Sequence, residues 1–264
     1  MRSGAWPAFF ALARKSKAGR NGAMRETRSL IVASACAVTT AVWAAGYEDD
    51  YNALLRKYLT SDGVGVRYAA WKGNASDVSA LQKVVDTIAN NPAPQGRSEQ
   101  LALYINAYNA WILHEALTKY PTKSVKDPLF TFFLLQRIKV AGEPMSFNHL
   151  EKDIIRAKFG EPRVHFALNC ASHSCPPLNR QAFRGDELDQ QFEKLATAFV
   201  NSEKGVKYSP DKNTAELSKI FDWYKDDFKG DGVIAFINKR RSAPLPNDVK
   251  IKYQDYDWGL NEAK

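Results

Sequence analysis

"SEQLALYINAYNAWILHEALTKYP", residues 98–121, is the stretch on which the fold turns. Ser98 is placed to cap a helix and Pro121 to end one. Between them apolar residues fall on nearly every side of the helical wheel. The segment therefore reads as a central buried helix, not as an amphipathic surface one. Asn106 and Asn109 stand inside it, three apart and so on one face. Asparagine is a mediocre helix former, and a buried carboxamide costs free energy unless its hydrogen bonds are made. Two readings follow: the pair pins neighbouring loop backbone, or it lines a pocket, with Asn109 orienting a catalytic group.

Outward from this helix the chain mixes element types. "DDYNALLRKYL" (49–59) and "ASDVSALQKVVDTIAN" (75–90) carry helical stripes, and "GVGVRYAAW" (63–71) between them reads as a turn and a short strand. "RIKVAGEPMS" (137–146) is a hairpin turning at Ala141-Gly142. "NHLEKDIIRAKFG" (148–160) is a helix with an Asn148…Glu151 capping arrangement and a Gly160 stop. "RVHFALN" (163–169) alternates like a strand, His165 and Asn169 on one side and Val164, Phe166 and Leu168 on the other. A helix (186–202), a hairpin around Pro210-Asp211, two further helices (219–228, 232–241) and a terminal strand and turn (249–261) follow. There is no regular βαβ rhythm. The expected fold is α+β: a helix-rich single domain whose buried helix packs on a small, partly antiparallel sheet and hairpins.

The first forty-odd residues differ from the rest. From Met24, Arg25 and Arg28 precede a mostly small and apolar run, and "VWAAG" offers cleavage after Ala44 or Ala45. That is the layout of a secretory signal peptide, and its apolar run is short of the roughly 20 residues of a membrane-spanning helix. The expected organisation is an extension at 1–23, a signal peptide at 24–45 and one domain at 46–264. The destination is periplasmic or secreted, with no stable membrane span after cleavage. The whole chain holds 37 basic and 29 acidic residues, a net charge of +8; residues 1–44 carry seven of the bases and one acid, leaving 30 against 28. A balance of +2 gives no support to nucleic-acid binding.

Against that background "HFALNCASHSCPPL" (165–178) is the chemical centre of the sequence. Three readings stand open. In an oxidising compartment Cys170 and Cys175 form a disulfide across a short loop stiffened by Pro176-Pro177. Alternatively one of them is a nucleophile, with His165 as base and Asn109 or Asn106 as orienter, a Cys–His–Asn site suited to hydrolysis or transfer at an amide, ester or thioester. Or His165, Cys170, His173 and Cys175 supply zinc-type ligands, although H-x4-C-x2-H-x-C is unlike the usual clips. Asn106, Tyr108, Arg163 and Asn169 are the candidate ligand-binding residues. No cofactor is expected, and the partner is an unknown small molecule or cell-envelope component.

"YINAYNAWIL", "PRVHFALNCASHSCPPL", "LSKIFDWYKDDF" and the closing "YDWGLN" together resemble the family called domain of unknown function 547, from about Val64 to Asn261. The resemblance implies a single domain of that type and carries no assigned activity. Two positions depart from it: Leu150-Glu151-Lys152 stands where the family often reads Ile-Glu-His, and His173 where it often has another polar residue. The two functions in play are a thiol-dependent hydrolase or acyl transferase of the cell envelope and a non-catalytic binding domain stapled by its disulfide. An enzyme should bring His165 and Asn109 to a sulfur; a binding module should show bonded sulfurs. N-terminal sequencing of the exported protein should read from Ala45 or Gly46, and a mature terminus upstream of Ala44 would refute the leader.

Overall fold

A computed structural model describes residues 47–126, 137–228, 230 and 232–263. The chain falls into two units, Met1–Val42 and Trp43–Lys264. All described residues lie in the second, and the leader expected at 24–45 lies outside them.

The long apolar stretch forms helix α4 (Arg97–Lys119), which follows α1 (Tyr47–Tyr58), α2 (Tyr68–Lys72) and α3 (Ala75–Asn90). It is buried at residues from Leu101 to Leu117 on every side, Asn106, Asn109 and Glu115 included. Gly96, not Ser98, occupies its N-cap. Neighbouring α3 is capped by the Asn74 side chain, which accepts the Asp77 N–H at 3.2 Å, and it packs between α1 and α4. The strand expected before Trp71 shrinks to Val66, which bridges to Leu59 and Glu262. From Tyr68 the chain is helical, so that Tyr68 and Trp71 are both fully buried.

The hairpin forms as expected from β1 (Arg137–Val140) and β2 (Glu143–Ser146). Its turn at Ala141 and Gly142 has positive φ at both residues (52° and 89°), the backbone a tight two-residue hairpin needs. Ile138 and Val140 point to the core while Arg137 and Lys139 point out.

Helix α5 spans 147–159, and its centre, Leu150–Arg156, is π-helical. Ser146 caps it by accepting the His149 N–H at 3.1 Å. The Asn148…Glu151 capping box is therefore not made, and Glu151 is free to point elsewhere. Gly160 ends it at φ +61°, as its position suggested. The expected strand at 163–169 is instead a 3-10 helix, Pro162–Phe166, started by Glu161, whose carboxylate accepts the Arg163 N–H. Residues Val164 to Asn169 are all buried, so their apolar alternation marks no exposed face.

Helix α6 (Leu188–Val200) leads to a second layer: β3 (Val206–Ser209), β4 (Thr214–Leu217), α7 (Lys219–Trp223), α8 (Gly232–Asn238) and β5 (Lys250–Tyr253). Strand β4 lies between an antiparallel β3 and a parallel β5. This layer has its own apolar cluster, in which Phe166 meets Phe199, Phe221, Phe228 and Phe236 with ring centres 5.3–6.3 Å apart. The main cluster surrounds α4.

Asn106 ties the first layer together. Its Nδ2 donates to Tyr47 Oη (3.0 Å) and to the Phe183 carbonyl (2.8 Å), and its Oδ1 accepts the Phe183 N–H (2.8 Å). Truncating it strands a buried peptide group. Asn106→Ala is expected to cost about 3 kcal/mol, read as a lower urea midpoint at unchanged slope; an unshifted midpoint would refute the clamp.

Candidate thiol site

The cysteine loop is fixed first by α4. Asn109 Nδ2 donates to the Ala167 carbonyl (2.8 Å) and its Oδ1 accepts the Asn169 N–H (3.0 Å). One carboxamide thus replaces the neighbouring strand that residues 167–169 lack. Asn169 shapes the next turn: Oδ1 accepts the Ala171 N–H (2.7 Å) and Nδ2 donates to the Pro176 carbonyl (2.7 Å). Ala171 sits at φ +64°, a left-handed conformation that costs a non-glycine residue of order 1 kcal/mol.

The C-terminal segment laces the loop from the other side. Asn261 N–H donates to Ala171 O (3.0 Å), His173 N–H to Gly259 O (2.8 Å) and Ser174 N–H to Asp257 O (3.2 Å). This strap also brings Tyr256 onto the sulfurs.

Both cysteines are free thiols, Cys170 half-buried and Cys175 buried, so the expected disulfide is absent from this structure. Cys175 Sγ is a hydrogen-bond acceptor instead. It takes the Cys170 N–H (3.0 Å), with Ser172 Oγ 3.3 Å and Tyr256 Oη 3.2 Å away. Cys170 Sγ lies 3.2 Å from Ser172 Oγ and 3.5 Å from Tyr256 Oη, and Ser172 Oγ donates to Tyr256 Oη at 3.0 Å. Burial works against ionising Cys175, but hydrogen bonds from Cys170, Ser172 and Tyr256 outweigh it and bring its pKa down to about 6. The adjoining Cys175 sulfur, and then burial, push Cys170 well above the usual thiol range. The two shifts run in opposite directions, Cys175 toward the thiolate and Cys170 toward the thiol. Cys170 borders a narrow crevice of about 30 Å³, walled by Ile112, Ala116, Val125 and Leu260, with Glu115 and Lys119 at its edge.

His165 lies elsewhere than the triad reading required. Its Nε2 is 2.7 Å from Asp227 Oδ2, its ring stacks on Tyr224 (centroids 3.9 Å apart, 18° between planes), and no hydrogen bond joins it to either sulfur. Burial lowers its pKa despite the Asp227 carboxylate, so it is a neutral imidazole donating Nε2–H. The orienting group is therefore Asp227, not Asn109, whose carboxamide is spent on backbone. Arg156 grips the same carboxylate with Nε (2.7 Å) and a terminal nitrogen (3.0 Å). The His165 hydrogen bond, against burial and with Arg156 assisting, holds Asp227 far below the usual carboxylate range.

Glu151 completes this network, accepting from Tyr224 (2.8 Å) and Tyr108 (3.3 Å). Glu151 and Arg156 are five residues apart. The i→i+5 bonding of the π-turn brings both to one side, which an α-helix would not do. Burial, and then the Glu151 carboxylate, hold the Tyr108 and Tyr224 hydroxyls well above the usual tyrosine range.

Arg163 is committed to Glu161, Asp189 and Glu193 at 2.8–3.4 Å and is not free for a ligand. Asn106 and Asn169 are spent on backbone. His149 pairs with Asp153 and His114 with Gln82. Among the described residues no three His, Cys, Asp or Glu side chains gather as metal ligands, so the zinc reading finds no site. Glu151, Arg156, Ser172, Asp227 and Tyr256 are the participants that sequence reasoning did not select.

Residues 93–200 match the family model described as Protein of unknown function, DUF547. Over this stretch the chain is similar to that family. The matched DUF547 segment holds α4, α5 and the whole cysteine loop; Asp227 and Tyr256 lie beyond it. No curated protein and no solved structure matches the chain. No helix among the described residues is long and apolar enough to cross a membrane.

The network sets an acid limit on the fold. His165 has its pKa depressed from 6.5, so the unfolded chain binds its proton first and stability declines as pH falls below 6.5. Asp227, depressed from 3.8, contributes stability above that value and loses it as pH falls further. Thermal melts from pH 7 to 3 should show both declines. Asp227→Asn should lower the melting temperature at pH 7 and make the lower step smaller, leaving the part that Asp62, Asp77 and Glu193 contribute; an unaltered lower step would refute the assignment.

Proposed function

We propose that the chain is a thiol-dependent hydrolase or acyl transferase in which Cys170 is the nucleophile and Cys175 its base. The supporting observation is the sulfur pair itself: Cys170 Sγ borders a crevice, and beside it Cys175 Sγ accepts the Cys170 N–H at 3.0 Å with the Ser172 and Tyr256 hydroxyls 3.3 and 3.2 Å away. The base role expected of His165 passes to Cys175. As Cys170 Sγ attacks an acyl carbonyl, the S–C bond forms, the carbonyl electrons move to oxygen, and the Cys170 proton ends on Cys175. Collapse expels the alcohol, thiol or amine, which takes that proton and restores the thiolate. Water or a second acceptor then cleaves the thioester. Attack by a neutral thiol is slow, so a nearby base supplies the activation. The crevice favours a small acyl group. The leader-like sequence at 24–45 supports a place for this chemistry in the cell envelope.

A chromogenic acetyl thioester tests the proposal. Wild-type protein should carry the acetyl group on Cys170 by peptide mass mapping, and Cys170→Ser should carry none. Cys175→Ser should acylate about a hundredfold more slowly, the usual worth of a general base. Equal rates in wild type and Cys175→Ser, or acylation at Cys175 alone, would overturn it.

A further inference from the structure

The hydroxyls between the two sulfurs form a continuous path. From Cys170 Sγ it runs to Ser172 Oγ (3.2 Å), from Ser172 Oγ to Tyr256 Oη (3.0 Å), and from Tyr256 Oη to Cys175 Sγ (3.2 Å). Ser172 is the donor in the middle link. Each hydroxyl has one proton to give and a lone pair to receive with, which is what a relay requires. Two shorter routes lie alongside: Ser172 Oγ to Cys175 Sγ (3.3 Å) and Tyr256 Oη to Cys170 Sγ (3.5 Å).

We propose that Ser172 and Tyr256 are a proton relay that moves the single shared proton between Cys170 and Cys175. The Cys170 S–H bond breaks as an O–H bond forms on Ser172. The original Ser172 proton passes to Tyr256, and the original Tyr256 proton passes to Cys175. One proton has moved, no electron pair has left the four groups, and the negative charge now sits on Cys170 at the crevice. The relay deepens the function proposed above and rests on it for its purpose, but its geometry stands alone.

Both groups are held for the task. Ser172 is buried and its backbone bridges to Leu260 of the C-terminal strap. Tyr256 packs in an aromatic trio with Trp223 (4.8 Å between centroids) and Trp258 (4.4 Å), which fixes its ring while its hydroxyl faces the sulfurs. Lys204, donating to the His173 carbonyl at 2.7 Å, adds a positive charge on the Cys175 side.

The test is the pH dependence of Cys170 alkylation by iodoacetamide in the full chain kept reduced, with the modified residue identified by peptide mapping. Wild type should alkylate Cys170 with a single inflection in its pH profile. Tyr256→Phe and Ser172→Ala should each slow Cys170 about tenfold at pH 7 and move the inflection upward by about one unit. Each single variant leaves the other hydroxyl as a one-step bridge, so the double variant, which removes both, should lose more than the two single losses multiplied together; independent structural losses would only multiply. Wild-type profiles in both single variants, or multiplying losses in the double, would overturn the relay. Failure of the acyl-enzyme to form, with these alkylation profiles intact, would overturn the proposed reaction and leave the relay standing.

Discussion

The structure depends on one kind of interaction: a buried carboxamide replacing a missing peptide partner. Helix α4 is apolar almost all round, and burial of that surface is non-directional. It drives collapse without saying which loop lies where. Asn106 and Asn109 supply the direction. Each offers one donor and one acceptor to the backbone of a segment with no strand neighbour, Phe183 in one case and Ala167–Asn169 in the other. In an apolar surround such bonds are costly to leave unmade, so the two asparagines set the register of the cysteine loop against the helix. Sitting three apart on one face, they fix two segments at once.

From that anchor the site is assembled by three pieces distant in sequence. Asn109 holds the entry to the cysteine loop, Asn169 folds its interior through a strained Ala171, and the strap at 256–261 closes it. Tyr256 reaches the sulfurs only because Gly259, Leu260 and Asn261 are laced to the loop and to Val66. Asn261 is fully buried and accepts the Tyr68 hydroxyl at 2.8 Å, so the strap is anchored at both of its faces.

Much of this was legible. The continuous apolar wheel of 98–121 announces a buried helix, and Ala141-Gly142 announces a hairpin, because both signals are local. The segment 163–169 misleads for a physical reason. Period-2 apolarity implies a strand only when one face meets water, and here both are buried, with Asn109 satisfying backbone that a ladder would otherwise pair. The polar members His165 and Asn169 are inside because each has a partner inside. The π-turn in α5 was likewise hidden, since nothing in "LEKDIIR" distinguishes i→i+5 from i→i+4 bonding; the pairing of Glu151 with Tyr224 and of Arg156 with Asp227 makes its consequence visible. Asp227 and Tyr256 stand 62 and 81 or more residues from the groups they touch, a separation that spacing cannot bridge. The sulfurs were singled out for their chemistry, and the roles of Asn109 and His165 were assigned from residue type alone.

The placement of charge within the pair has its own logic. A thiolate open to solvent is exposed to every electrophile and oxidant, whereas Cys175 keeps its charge under the loop, with three donors around it. The sulfur at the crevice is neutral and slow until its proton departs. A hydrogen-bonded path between the two makes that departure a rearrangement within four fixed groups and asks nothing of the solvent. The adjoining network obeys the same rule. His165 stays neutral, Asp227 carries the charge, and Arg156 balances it, so the buried side of the site holds its charges in pairs, where unpaired ones would be costly. In both clusters the charge is assigned to the atom with the most donors, and that count of donors decides which group is resting and which is ready to react.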